Sequence, residues 1–198
     1  MTSTARKAPR LLVRSAQVAI AAAAVTDVFR TVAVRDRYLH DTDTSESGFA
    51  SMVFVYVTTL AIVLFLVWLA QVRRNAEELS PEAAVPSRGR TIGMWFVPFA
   101  HLFVPRQVVL DIGRASSPSW AAKRDTTLVN AWWVAWIAHS LVLGFAGRLA
   151  PGSMTLLVVE EVLMVAAALL AGLVIERITA LQDAAFDAAV PAESPAQA

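Results

Sequence analysis

The chain has 198 residues, 57% of them apolar, with a mean hydropathy of +0.55 and a formal net charge of +1. That apolar share exceeds the roughly 45–50% of an average soluble domain, which points to a membrane protein, and the length suits one compact domain. Balanced charge gives no support to nucleic acid as a partner, and the absence of cysteine excludes disulfides, thiolate metal sites and cysteine nucleophiles.

A helix needs about 20 mostly apolar residues to cross ~30 Å of hydrocarbon at ~1.5 Å per residue. The first candidate covers about 15–34, after a basic stretch, 1–14, that holds Arg6, Lys7, Arg10 and Arg14. Asp27 and Arg30 interrupt it. A basic stretch before an alanine-rich run also fits a cleaved signal peptide, but the apolar pattern continues to Val34, which favours a span. A mildly acidic loop follows, and then an uncharged span over about 49–72. Pro81, Pro86, Ser87 and Gly89 mark a flexible connection before the next apolar stretch.

That stretch, 91–105, offers only 15 uncharged residues between Arg90 and Arg106 and contains Pro98 and Pro105. As a helix it would measure about 22 Å, too short and too broken for a span. Trp95, Phe96, Phe99 and Phe103 suit a re-entrant or interfacial segment, because aromatic rings favour the headgroup region. Over 106–116 the pattern becomes amphipathic. Gln107, Asp111 and Arg114 share one helical face, and Val108, Val109, Ile112 and Ala115 share the other, with Pro105 in the first turn. Such a helix either lies along the cytoplasmic surface near anionic lipid headgroups or packs on the protein's own bundle. Two further spans are expected at about 126–147, which holds His139, and 153–175, which holds Glu160 and Glu161. Pro191 and Pro195 mark 189–198 as a disordered tail, so 15–188 forms a single membrane domain.

Charge sets the count of crossings. With four spans and both termini cytoplasmic, 13 of the 17 basic residues lie inside, with Arg35, Arg37 and Arg148 outside and Arg30 within the bilayer. A fifth crossing at 91–105 would carry Arg106, Arg114, Lys123 and Arg124 outside, against the positive-inside rule. The expected fold is therefore all-α: an integral membrane bundle of four transmembrane helices, plus the proline-broken segment and a short amphipathic helix.

The run Trp95-Phe96-Val97-Pro98, followed by Leu102, Pro105, Val108, Ile112, Ala115 and Ser116, resembles the signature of a bacterial membrane family, domain of unknown function 4328. Trp68 followed by Arg73, Arg74 and Asn75 fits as well, as does Trp132-Trp133 with Trp136, and the resemblance is strongest over about 60–145. His101 stands where the family more often has Asn, and Phe103 and Gly113 where Trp is frequent. The resemblance implies a multi-pass protein of the bacterial cytoplasmic membrane and no established activity.

Counting ~1.5 Å per residue inward from the external ends puts Asp27, Arg30, Tyr56, Thr58, Thr59, His139, Glu160 and Glu161 in one polar layer, roughly 5–15 Å below the outer face. Charge at that depth is costly and normally pairs while facing protein or water. Arg30 with Glu160 or Glu161 is the expected pair, with Asp27 an i, i+3 neighbour of Arg30. Ala167 and Ala171 continue the Glu160 face, and Ala168 and Gly172 that of Glu161, which favours close helix approach. The layer reads either as a structural cluster that docks four helices or as a proton- or cation-responsive site.

The sequence holds no H-E-x-x-H, no G-x-S-x-G and no phosphate-binding glycine loop. Glu160-Glu161 superficially resembles the paired glutamates of a membrane-embedded metalloprotease family, but the arginine that follows four residues later there is Val165 here. No catalytic residue, metal or cofactor is expected. The favoured role is a non-enzymatic accessory or interaction module. Its partners would be the bilayer, with anionic headgroups, another membrane protein or a second copy as further candidates. A small transporter, channel or pH- or ion-sensing subunit is the alternative, and a membrane-embedded enzyme the weaker one.

Overall fold

The structure, a computed structural model, describes residues 10–40, 44–97, 99–150 and 153–189. The stretch 1–9 with Arg6 and Lys7, Pro98 of the aromatic run, and the tail from 190 lie outside the described residues. Among the described residues all regular structure is helical: α1 (Arg10–His40), α2 (Thr44–Leu79), α3 (Arg88–Gly93), a 3-10 turn (Ala100–Leu102), α4 (Val104–Ser116), α5 (Ala122–Leu149) and α6 (Met154–Ala189). Of these, α1, α2, α5 and α6 are long and apolar enough to cross a membrane. The all-α, four-span membrane bundle expected from the sequence is the fold that forms.

The helices outrun the hydrocarbon. At ~1.5 Å per residue, the 36 residues of α6 measure about 54 Å. Nothing after Leu173 breaks it, since 174–189 contain no glycine or proline. Val174, Ile175, Ile178, Leu181, Gln182 and Phe186 carry the buried stripe onward at helical spacing. At the same end of the bundle α1 extends back to Arg10, into the basic stretch 1–14 that the sequence reading placed before the first span.

Small side chains line the contact between α1 and α6. Ala16, Ala19 and Ala23 of α1 are buried, as are Ala167 and Ala171 of α6, and α1 packs on α6 and on α2. Gln17 Nε2 donates to the Gly172 carbonyl at 3.2 Å. Backbones approach closely where side chains are this small. The fourth helix, α5, packs on α6 and has little direct contact with α2. The gap between α2 and α5 is filled from one end only, by the hairpin of α3, the 3-10 turn and α4.

That end, called basal here, holds Leu79, Ala122 and Ala189, and the distal end holds His40 and Met154. The hairpin starts and finishes basally. Arg73 near the end of α2 donates to the Pro86 carbonyl at 2.6 Å, and the Ser87 hydroxyl caps α3 by accepting from the Arg90 N–H at 3.3 Å. Between these ends the chain dips into the bundle. The Trp95 ring meets Phe65 edge-on at 5.4 Å and Trp133 edge-on at 5.9 Å, and Trp133 Nε1 donates to the Leu102 carbonyl at 3.0 Å. Phe99, at φ 63°, reverses the chain, and Pro105 sits in the first turn of α4.

The return helix α4 resolves the choice left by its amphipathic pattern. Val108, Val109, Leu110 and Ile112 are at most 1% exposed, against Trp68, Leu69 and Val72 of α2 and Val174, Ile175 and Ile178 of α6. Burial of this face against the protein's own helices leaves Gln107, Asp111 and Arg114, with Val104 and Arg106 in the first turn, to meet the surroundings. Gly113 packs directly against a ring: a Cβ there would clash with the Trp120 indole, first at Cζ3. The Trp120 indole occupies the space that a larger residue at 113 would need.

Candidate functional site

The buried face of α1 runs through Ala16, Ala19, Ala23, Asp27 and Thr31, a 3–4 residue spacing that places the Asp27 carboxylate inside the bundle at 0% exposure. One turn on, Arg30 turns back toward it. Its Nε donates to Asp27 Oδ1 at 2.7 Å, and its Nη2 reaches both Asp27 Oδ1 and Glu160 Oε1 of α6 at 2.6 Å. The guanidinium also lies 5.0 Å above the Phe54 ring of α2. Asp27, Arg30 and Glu160 are thus paired, as buried charge requires.

His139 of α5 completes the cluster. Its Nδ1 lies 3.3 Å from the Glu160 carbonyl oxygen, and its Nε2 lies 3.8 Å from Asp27 Oδ2. Asp27 Oδ2 is buried and makes no hydrogen bond, because both Arg30 contacts fall on Oδ1. A carbonyl oxygen can only accept, so the ring proton of a neutral His139 belongs on Nδ1. The bare Nε2 then faces the bare Oδ2.

The layer differs from its expected membership. Asp27, Arg30, His139 and Glu160 converge. Glu161 sits alongside, with the Thr31 hydroxyl near it, but neither of its buried carboxylate oxygens makes a hydrogen bond of sound geometry. Thr58 faces the interior. Tyr56 and Thr59 do not belong: Tyr56 is 68% exposed, and the exposed Thr59 hydroxyl is spent on the Val55 carbonyl at 2.7 Å. Depth along a helix fixes height only; a step of about 100° per residue turns Tyr56 and Thr59 away from the side shared by Phe54, Thr58 and Ala61.

A second buried polar set lies basally. Gln182 of α6 donates through Nε2 to the Val72 carbonyl at 2.7 Å and to Ser116 Oγ at 2.8 Å, and its Oε1 accepts from Asn75 Nδ2 at 2.9 Å. Trp68 Nε1 donates to Thr179 Oγ1 at 3.2 Å. Trp68 and Asn75, prominent in the family-like pattern, therefore hold the extension of α6 in place. Sequence reading missed Gln182 and Thr179, although a glutamine in register with Ile175 and Ile178 was the available signal. Nearby, Arg177 bridges to Asp125 at 2.9 Å, and Asp125 also accepts from the Ala121 N–H at 2.8 Å at the start of α5. Among the described residues no three histidine or carboxylate side chains converge as a metal-binding set.

The family model described as domain of unknown function (DUF4328) matches residues 30–180, a range that takes in the hairpin and most of both polar sets but leaves out the first two-thirds of α1, with Asp27, and the last turns of α6, with Gln182. No curated protein and no solved structure matches the chain.

Proposed function

Because the chain belongs to the DUF4328 family, whose description carries no activity, its role must come from its geometry, and we propose a non-enzymatic accessory module of the bacterial cytoplasmic membrane whose distal polar layer responds to protonation. The observation that carries this reading is the meeting of Asp27 Oδ2 and His139 Nε2 at 3.8 Å, with no donor between them. A proton on Nε2 turns two opposed acceptors into an imidazolium–carboxylate pair. Three carboxyl groups, those of Asp27, Glu160 and Glu161, stand around a single arginine there, and two of them bind it. The groups facing the pair are Arg30 and Thr31 from α1, Glu160 and Glu161 from α6, Trp136 from α5, and the Phe54 ring against Arg30 from α2. The contact joins α1 to α5, which otherwise meet through α6, so protonation bears directly on how the helices dock.

Orientation is part of the same proposal. The basic residues of the hairpin, with Lys123 and Arg124, crowd the basal end and support a cytoplasmic basal face with both termini inside. Anionic headgroups would gather there, and the apolar outer faces of the spans would meet lipid, another membrane protein or a second copy.

The imidazolium–Asp27 pair exists only while Nε2 carries its proton, so its contribution is present at acid pH and lost as pH rises. The thermal stability of the purified protein in detergent should therefore exceed that of Asp27→Asn by a margin that widens on acidification, and His139→Gln should abolish the widening. A margin that does not vary with pH would reduce the layer to a docking cluster and end the proton-responsive reading.

A further inference from the structure

Between the two polar layers the bundle encloses a cavity of about 220 Å³. Thr58 and Phe65 of α2, Trp95 of the hairpin, Trp132 and Trp136 of α5 and Ala168 of α6 are among the residues that line it. It occupies the part of the α2–α5 gap that the hairpin does not reach. Ile62 and Phe96, also in its lining, are 40% and 69% exposed, so the cavity opens sideways toward the bilayer. Counted along the span 49–72, Thr58 and Phe65 lie about 13 Å and 10 Å from its two ends, which sets the cavity near the membrane midplane.

Two hydrogen-bonding atoms in this lining have no partner: Thr58 Oγ1 and Trp95 Nε1, both buried. Threonine on a helix has a carbonyl within easy reach, as Thr59 shows with Val55. Two tryptophan N–H groups of this core are paired, Trp68 with Thr179 and Trp133 with Leu102, while Trp120 Nε1, outside the cavity lining, is unpaired like Trp95 Nε1. Buried donors left unmatched call for an explanation, and a missing ligand is one. The volume exceeds the ~150 Å³ apolar cavity that accepts benzene, and the walls are mostly aromatic and small aliphatic. No lysine, arginine or carboxylate lines it and His101 is its one ionisable side chain, so a phosphate or carboxylate head meets no fixed charge there. A plain acyl chain would fill the space and leave both donors unpaired.

We infer that the cavity binds a neutral lipid with a flat, carbonyl-bearing ring, of the quinone class. Trp95 Nε1 donates to one carbonyl oxygen and the Thr58 hydroxyl to the other, while the indoles of Trp95, Trp132 and Trp136 supply ring contacts. The apolar tail leaves past Ile62 and Phe96 into the bilayer. This is a binding site only, independent of the protonation proposed for His139, although Trp136 belongs to both, its ring centre 6.4 Å from that of His139.

The test uses the full chain in lipid nanodiscs, titrated with decylbenzoquinone while tryptophan emission is followed, with decylbenzene as the competitor that keeps ring and tail but lacks carbonyls. Wild type should show saturable quenching. Trp95→Phe, which keeps a ring and removes the N–H, and Thr58→Val should each weaken binding about tenfold, the scale of one lost hydrogen bond. Decylbenzene should displace the quinone at no less than about ten times its concentration. Ala168→Phe should abolish binding by filling the space, and because that variant risks misfolding, Trp95→Phe with an unchanged melting profile is the deciding one. Non-saturating quenching that is the same in wild type and Trp95→Phe would show mere partition into lipid. Displacement by decylbenzene at equal concentration would show an apolar void with no preference for carbonyls. Either result overturns the inference.

Discussion

Arg30 is the residue on which the distal layer turns, since one guanidinium serves two carboxylates on different helices. Truncation to alanine leaves Asp27 and Glu160 buried without a counter-charge, a defect of about 3–5 kcal/mol. In a background already carrying Asp27→Asn and Glu160→Gln the same truncation should cost less than about 1 kcal/mol, because no buried charge is then orphaned. Unfolding of the four variants in detergent measures the difference, and losses that simply add would deny the pairing any role. The two adjacent glutamates are not equivalent in this respect. Glu160→Gln breaks a 2.6 Å ion pair, whereas Glu161→Gln removes a carboxylate that Arg30 does not bind, so the first substitution should be the more damaging.

At the level of elements, the hairpin and the end of α6 stabilise each other through Gln182. Replacing Gln182 with leucine removes its bonds to the Val72 carbonyl, Ser116 and Asn75 together, for a loss of about 3 kcal/mol at roughly 1 kcal/mol per bond. Hydrogen exchange should then quicken from Ile178 to Ala189 and in α4 while the stretch around Glu160 keeps its protection; uniform loss along α6 would mean that the glutamine is not what pins its end. What the sequence disclosed of these elements follows a physical rule. Apolar runs and prolines are local, so the four long helices, the broken segment and the amphipathic face of α4 were all legible. Arg30 with Glu160 was legible too, because two opposite charges at one depth have few alternatives. The facing of Tyr56 and Thr59 was not, since depth says nothing about rotation about the helix axis. Gln182 escaped because its partners lie 66 to 110 residues away and a glutamine carries no charge to flag it.

For the molecule as a whole, the hairpin leaves and rejoins the bundle at one end, so α2 and α5 run in opposite directions with no crossing between them. Single cysteines introduced into this cysteine-free chain should divide accordingly. Ser45 and Ser153 should label from one side of the membrane, and Ser87 and Ser119 from the other; Ser116, at 1% exposure and bonded to Gln182, is a poor reporter. Labels at Ser87 and Ser119 on opposite sides would make the aromatic segment a fifth crossing. The same architecture gives α6 a mechanical character. Glu160 and Gln182 stand on one unbroken rod, about 33 Å apart at ~1.5 Å per residue. A tilt of about 5° pivoting at Glu160 would swing Gln182 by about 3 Å, further than its 2.7–2.9 Å hydrogen bonds can stretch and remain bonds. The helix is a lever with a latch at its far end, and whatever loosens the grip of Arg30 must either leave α6 still or spring that latch.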